Sequence, residues 1–360
     1  MKANPKLNIN LYKIKKNSEH IKNLCSQHLV EVVGITKGCS AIPDVAQAMM
    51  EGGIEILGDS RIKNIQNLKR AGIKAEMMLV RTPMLSEVPE VIKWADISLN
   101  SEIAVIESLS REAWKNDLIH RIVLMIELGD LREGIMPEDI LTTVEKIIKL
   151  PGIKLMGIGA NFGCIGGVMP SPKNMEKLAE LAEEIERYCG IVLEVISGGN
   201  TSGLKLLEDD LMPKRINQLR IGVGILLGQD DARSRNITGT YQDTFTLSAE
   251  VIEIKLKPSL PQGEIGRDAF GEIPVFLDLG LRKRAILALG KQDVDINSLI
   301  PIKPGIKIIA ASSDHLIIDV TDFKEKITIG DEVEFKLNYP ALLSASTSKY
   351  INKCFYKEEN

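Results

Sequence analysis

The sequence predicts an α/β fold, a (β/α)8 barrel of the TIM type followed by a smaller C-terminal β-domain, on three observations. Short apolar runs alternate with amphipathic stretches eight times over about 230 residues, the size of a closed β/α barrel. Polar residues gather at the carboxyl ends of those runs, where such barrels carry their chemistry. After Gly228 the texture changes to short alternating segments parted by Pro and Gly.

Taken in order, the expected barrel strands are 32–37, 54–59, 77–81, 97–101, 121–129, 154–162, 192–198 and 218–228. Runs apolar on both faces indicate parallel strands covered by helices. Helices are expected where breakers bound amphipathic segments: Pro43 to Gly52, Arg61 to Arg70, Ile103 to Asn116, Pro137 to Pro151 and Met175 to Tyr188. The polar, Arg-rich stretch 230–240 is the expected linker. Beyond it, strands are expected at 244–254, 273–279, 306–310, 316–320 and 332–337. The domains are therefore 12–235, the barrel, and 236–360, a β-domain that an early alternating strand at 5–11 can join.

Composition narrows the function class. With 360 residues, 44% hydrophobic and 26% charged, the chain has ample material for two cores. A net charge of −4 gives no sign of a nucleic-acid partner. No apolar run nears the ~18 residues a membrane helix needs, and residues 1–10 lack a signal-peptide block, so a cytoplasmic protein is expected. Five cysteines without CxxC spacing argue against a disulfide framework and against a zinc site; no metal is expected.

Lys37 closes the first barrel strand, Val32-Val33-Gly34-Ile35-Thr36-Lys37. An amine delivered to a barrel mouth and partly desolvated forms Schiff bases with carbonyls, which implies pyridoxal 5′-phosphate. A solvent-facing lysine at a strand end is the plain alternative. The loops after the seventh and eighth strands, 197–203 and 220–224, are rich in Gly, Ser and Thr and suit an oxyanion. Glycines 157, 159 and 163 and glycines 222, 224 and 228 only superficially follow a dinucleotide fingerprint, because the last interval is one residue too long.

Eight segments in one order, VVGITKG, LGDSRIKN, ISLNSE, IELGDLREGI, GIGANFG, SGGNTSG, LRIGVGILLG and ASSDHLIID, resemble the alanine racemase superfamily of pyridoxal-phosphate barrels, most closely its ornithine racemase branch. The resemblance spans nearly the whole chain. It implies that Lys37 holds the cofactor and acts as one base, and that Arg220 contacts the pyridine nitrogen. Gly222 and Val223 would give backbone phosphate donors, Thr201 or Ser202 a hydroxyl, and Tyr339 a further phosphate contact. Asn161 stands where the family stacks a histidine on the ring. Arg132 would read the cofactor's phenolic oxygen and the substrate carboxylate, and an ion pair with Glu133 or Asp130 is its alternative. Ser313 and Asp314 fall where the family places partner-subunit residues over the substrate, which implies a head-to-tail homodimer with shared active sites.

Departures from the family pattern bear on mechanism. Ala41 replaces a phosphate-binding tyrosine, and Met125 a modified lysine. The tyrosine that serves as second base is missing from Phe276-Leu277-Asp278-Leu279-Gly280, and a racemase needs a proton carrier on each face of the carbanion. Asp278 is the expected replacement, with Ser313, Asp314 and His315 behind it; it can equally bind a cationic side chain or satisfy a turn. The expected activity is racemisation of ornithine, with alanine, lysine or broad-specificity racemisation as alternatives. A D-amino-acid lyase of the same fold and a non-enzymatic pyridoxal-phosphate carrier are the rivals from other classes.

Overall fold

The computed structural model describes residues 5–358, so residues 1–4 and the last two of the expected C-terminal domain lie outside the described residues. The chain forms two compact units, Leu11–Gln242 and residues 5–10 with Asp243 onward.

In the larger unit, α1 (Leu11–Gln27) precedes β2 (Glu31–Ile35), α2 (Pro43–Glu51), β3 (Ile56–Asp59), α3 (Ile62–Arg70), β4 (Glu76–Leu79), α4 (Val88–Trp94), β5 (Ile97–Asn100) and α5 (Ile103–Lys115). It continues through β6 (His120–Met125), α6 (Ile140–Ile147), β7 (Ile153–Gly159), α7 (Pro172–Cys189), β8 (Val195–Ser197), α8 (Leu204–Glu208), β9 (Gln218–Ile221) and α9 (Val223–Leu227). Strands β2 to β9 close into a parallel barrel, the last pair joining Val33 to Arg220. Alternate residues fill its interior, among them Val33, Ile35, Met78, Leu99, Val123 and Met125, while their neighbours pack outward on the helices. Met125 thus belongs to the apolar filling of the barrel.

Three sequence expectations change here. The eighth strand ends at Ile221 rather than Gly228, because Gly222 turns the chain into α9. The expected linker folds into the barrel unit as a short hairpin, β10 (Gln229–Asp230) and β11 (Arg235–Asn236). Arg235 holds it there by a bidentate pair with Glu208 at 2.9 and 3.0 Å, and buried Asp230 accepts from Arg233 and Arg235. Helix α1 was not foreseen: its apolar residues Leu11, Ile14, Ile21 and Cys25 share a face with buried Asn17 and Ser18, and five lysine and histidine residues blur the pattern.

The smaller unit is an antiparallel sheet. Its strands are β1 (Lys6–Asn10), β12 (Phe245–Pro258), β13 (Leu281–Leu287), β14 (Leu299–Pro301), β15 (Lys307–Ala311), β16 (Leu316–Asp319), β17 (Glu332–Leu337) and β18 (Asn352–Tyr356), with α10 (Tyr339–Thr347). The order is β14-β17-β12-β13-β16-β15, and β1 lies between β12 and β18, antiparallel to the first and parallel to the second. The expected strand at 273–279 does not form. Its alternating Ile273, Val275, Leu277 and Leu279 are 64%, 88%, 74% and 59% exposed, so the alternation has no sheet neighbour to pair with.

Gly157, on β7, is small because β8 passes against it: a Cβ there would lie 1.7 Å from the Val195 carbonyl oxygen. This close approach, not nucleotide binding, accounts for a glycine in that run. Gly157→Ala should therefore destabilise the protein by about 3 kcal/mol or more in urea unfolding, since only a backbone shift makes room.

Candidate functional site

The carboxyl ends of the barrel strands bring together side chains that lie far apart in sequence. Lys37 opens a 3-10 turn, Lys37–Cys39, directly after β2. The Thr36 hydroxyl donates to Asp59 Oδ2 at 2.8 Å, tying the end of β2 to that of β3. Asp59 also accepts from the Arg61 amide and the Asn64 carboxamide, at 2.9 and 3.0 Å, and burial keeps its carboxyl above the usual range. Burial lowers the Lys37 amine below the ordinary lysine value; Arg132 and Arg220 lower it further, while Cys164 and Asp59 push back. A lysine held this way gives up its proton more readily than one in water.

Arg220 is 5% exposed and lies in register beside Val33. It donates from Nη1 to Ser197 Oγ at 2.5 Å, and from Nη2 to the Ala160 carbonyl and Asn161 Oδ1, both at 2.8 Å. Burial and the nearby Arg132 bring it down to about 10, with Glu133 opposing. Asn161 in turn donates to Glu133 Oε1 at 2.6 Å. Glu133 accepts from Arg132 through Nε and Nη2, and Arg132 Nη1 donates to Cys164 Sγ at 3.3 Å. Burial weakens the Arg132 charge, but Glu133 more than offsets it, so this guanidinium titrates above its usual value. The result is one continuous chain: Arg220, Asn161, Glu133, Arg132, Cys164.

The second part of the site is the pair of loops after β8 and β9. Asn200 donates to the Phe162 carbonyl at 2.7 Å and accepts from both the amide and the hydroxyl of Ser202. Thr201 Oγ1 accepts the Gly224 amide at 3.3 Å, which leaves its hydroxyl proton for another acceptor, whereas that of Ser202 is committed to Asn200. Gly222 caps α9 and Val223 begins it, so the first-turn amides of that helix start here. Arg233 donates to the Ser202 carbonyl and fixes the loop from behind.

The barrel unit thus unites Lys37, Arg132, Asn161, Thr201, Ser202, Arg220, Gly222 and Val223. The remaining expected residues belong to the smaller unit. Exposed Asp278 accepts at Oδ1 from the Gly280 amide and Ser259 hydroxyl, at 3.0 and 3.3 Å, an arrangement that caps a turn. Asp314 accepts from Ser312 and Ser313 and pairs with the His315 ring at 2.8 Å. Half-buried Tyr339 is the first residue of α10. Among the described residues, no group of three or more His, Cys, Asp and Glu side chains has metal-binding geometry. Nor, among the described residues, is any helix long and apolar enough to cross a membrane.

Sequence reasoning undervalued Glu133, Ser197 and Cys164. The first was visible only as a neighbour of Arg132. Ser197 was placed where the seventh strand meets its loop with no partner assigned, and nothing in the sequence put Cys164 beside a guanidinium supplied from 32 positions earlier.

Comparison with known proteins follows the same outline. Residues 9–230 match the family described as alanine racemase, N-terminal domain. The chain belongs to the alanine racemase family. Ornithine racemase of Acetoanaerobium sticklandii is 42% identical over 97% of this chain and 99% of its own length. Lysine racemase of Thermotoga maritima is 43% identical over 98% of each. Alanine racemase of Clostridium difficile 630 shares the fold with a TM-score of 0.79 at 17% identity, covering 100% of this chain and 97% of that one. Within the alanine racemase family this chain therefore stands much nearer in sequence to proteins named for basic amino acids than to that alanine racemase.

Because the folded Lys37 amine titrates below its unfolded value, its charge costs stability in the cofactor-free protein. The cost is full below the folded pKa and disappears as pH rises towards the unfolded value. Lys37→Met should thus be more stable than wild type near neutral pH. The gap should close as denaturation is measured at increasing pH up to about 10.4.

Proposed function

We propose that the chain is a pyridoxal-phosphate-dependent amino-acid racemase that interconverts L- and D-ornithine. The observation that carries this reading is the desolvated Lys37 amine at the mouth of a closed barrel, flanked by Arg132 and Arg220 and joined to full-length similarity with a protein named ornithine racemase. The relative named lysine racemase, at comparable identity, favours lysine as the second substrate.

The residues present fit the cofactor. An amine whose proton burial loosens is suited to carry a carbonyl compound. The free Thr201 hydroxyl proton and the first amides of α9 at Gly222 and Val223 suit a phosphate. Bound pyridoxal phosphate supplies an electron sink that acidifies the substrate Cα–H. Lys37 would hold the cofactor until the substrate amine displaces it, and the freed amine would then take or return the Cα proton on one face. Arg220, at about 10, keeps its charge near neutral pH and offers the ring nitrogen a donor that cannot hand over a proton, which disfavours transamination. Asn161 fixes Arg220 and Glu133 fixes Arg132, whose guanidinium binds the substrate carboxylate.

Asp278 is the proposed proton carrier for the other face. Its Oδ1 is engaged by Gly280 and Ser259, which leaves Oδ2 to take a proton. Two copies are proposed to pair head to tail, with Ser313 and Asp314 contributed across the interface and Tyr339 adding a phosphate contact. The exposed row Ile273, Val275, Leu277 and Leu279, next to Asp278, supports this pairing as apolar surface in need of cover. The proposed place of action is the cytoplasm.

Absorbance of the purified protein, followed by chiral analysis after addition of L-ornithine, tests the reading. Wild type should show a bound-cofactor band and form D-ornithine, and Lys37→Ala should lose both. Asp278→Asn should lower kcat by about 10²–10⁴-fold while Cα–H exchange with deuterated water persists on the Lys37 face. Alanine turning over much faster than ornithine would overturn the substrate assignment. An unchanged kcat in Asp278→Asn would remove that residue from the mechanism.

A further inference from the structure

Resting on the racemase reading, we propose that Asp130 is the specificity residue that accepts the distal ammonium of the basic substrate. Its position is unusual. The side chain is 2% exposed, in the loop after β6. Oδ1 accepts the Cys164 amide at 3.2 Å, and the Asp130 carbonyl accepts the Gly166 amide at 3.0 Å. Oδ2, by contrast, is buried and has no hydrogen-bond partner. No Lys, Arg or His among the described residues forms an ion pair with it: Arg132, the nearest in sequence, is turned to Glu133 instead.

A buried carboxylate oxygen with no partner is costly, because desolvation is not repaid by a hydrogen bond or a counter-charge. Other carboxylates of the barrel mouth show what a settled one looks like. Glu133 binds Arg132 and Asn161, Asp59 takes three donors, and Glu127 takes the amides of Gly129, Leu131 and Arg132. Asp130 alone of these keeps one oxygen unused. Its location makes the vacancy meaningful: Cys164 touches Asp130 through its amide and Arg132 through its sulfur, at 3.2 and 3.3 Å. Arg132, the proposed seat of the substrate carboxylate, and Asp130 therefore share Cys164 as a common neighbour, so such a substrate sits close to a buried carboxylate oxygen without a partner. Of the side chains such a substrate can carry, a short alkyl chain ending in an ammonium satisfies that oxygen, and a methyl or neutral alkyl group leaves it orphaned. Selectivity then comes as much from the penalty on neutral substrates as from attraction to basic ones.

The test compares L-ornithine with L-norvaline, the same skeleton without the distal amine, on the cofactor-loaded enzyme. Wild type should favour ornithine in kcat/KM on the order of 10³-fold or more. Asp130→Asn keeps an oxygen for the Cys164 amide, and should shrink that ratio to about tenfold or less, mainly through a higher KM for ornithine. Asp130→Glu, which retains the charge, should recover part of the preference. Melting temperature gives a readout independent of turnover. Without substrate, Asp130→Asn should melt at or above the wild-type temperature because an unpaired buried charge is gone, and added ornithine should raise Tm only in wild type and Asp130→Glu.

If Asp130→Asn keeps the wild-type ornithine-to-norvaline ratio, Asp130 is not the specificity residue, though the racemase reading stands. An equal loss for both substrates with a lower Tm would make it a purely structural residue and overturn the proposal. Wild type that neither racemises ornithine nor is stabilised by it would overturn the racemase reading and this inference together, whereas stabilisation without turnover would support the ammonium site and remove the reaction.

Discussion

Everything at the barrel mouth depends on keeping three cationic groups close together, with Arg220 buried, Lys37 half-buried and Arg132 exposed. Burial and then Arg132 lower both Lys37 and Arg220, and Arg220 lowers Lys37 a little further. Two arginines this near would repel strongly at the low effective dielectric of a protein interior. Glu133 makes the arrangement tenable, touching Arg132 directly and reaching Arg220 through Asn161. The guanidinium groups keep their charge because they are paired and hydrogen-bonded. Among the described residues Lys37 has no comparable partner, so burial lowers it with little to offset the cost of its charge.

That balance is possible only because the barrel closes. The register Val33 to Arg220 places strand β9 beside β2, so that the residue after the first strand and one within the last serve a single site. Ser197 from β8 and Ala160 and Asn161 from the end of β7 then complete the donor set of Arg220. Below them, Val33, Met78, Leu99, Val123 and Met125 fill the interior, giving the polar layer a dry floor. Arg220 and Asn161 are each held by partners from other strand ends, whereas Arg132 is held by Glu133 in its own loop.

The smaller unit is built on another principle. Its sheet joins β1, from the start of the chain, to β12 and β18, so residues from both ends of the sequence stabilise one layer. Asp278, Ser313, Asp314 and Tyr339 are carried by this unit, on loops and at the start of α10. The proposed roles of Ser313 and Asp314 depend on a second copy of the chain.

The sequence by itself determined the barrel class and the order of its strands, because a run apolar on both faces, followed by Gly or a polar residue, reports a buried parallel strand. Lys37, Arg220 and the glycine loops were legible for that reason. The eighth strand was read too long, and 273–279 was read as a strand, because local alternation does not say whether a ladder partner exists. Helix α1 was hidden by its charges. Tertiary structure alone decided which charges meet: Arg132 chooses Glu133 over Asp130, Cys164 arrives from a distant loop, and one oxygen of Asp130 is left without a partner. Those outcomes depend on distances between strand ends, and a linear sequence encodes them only through the closure of the whole barrel.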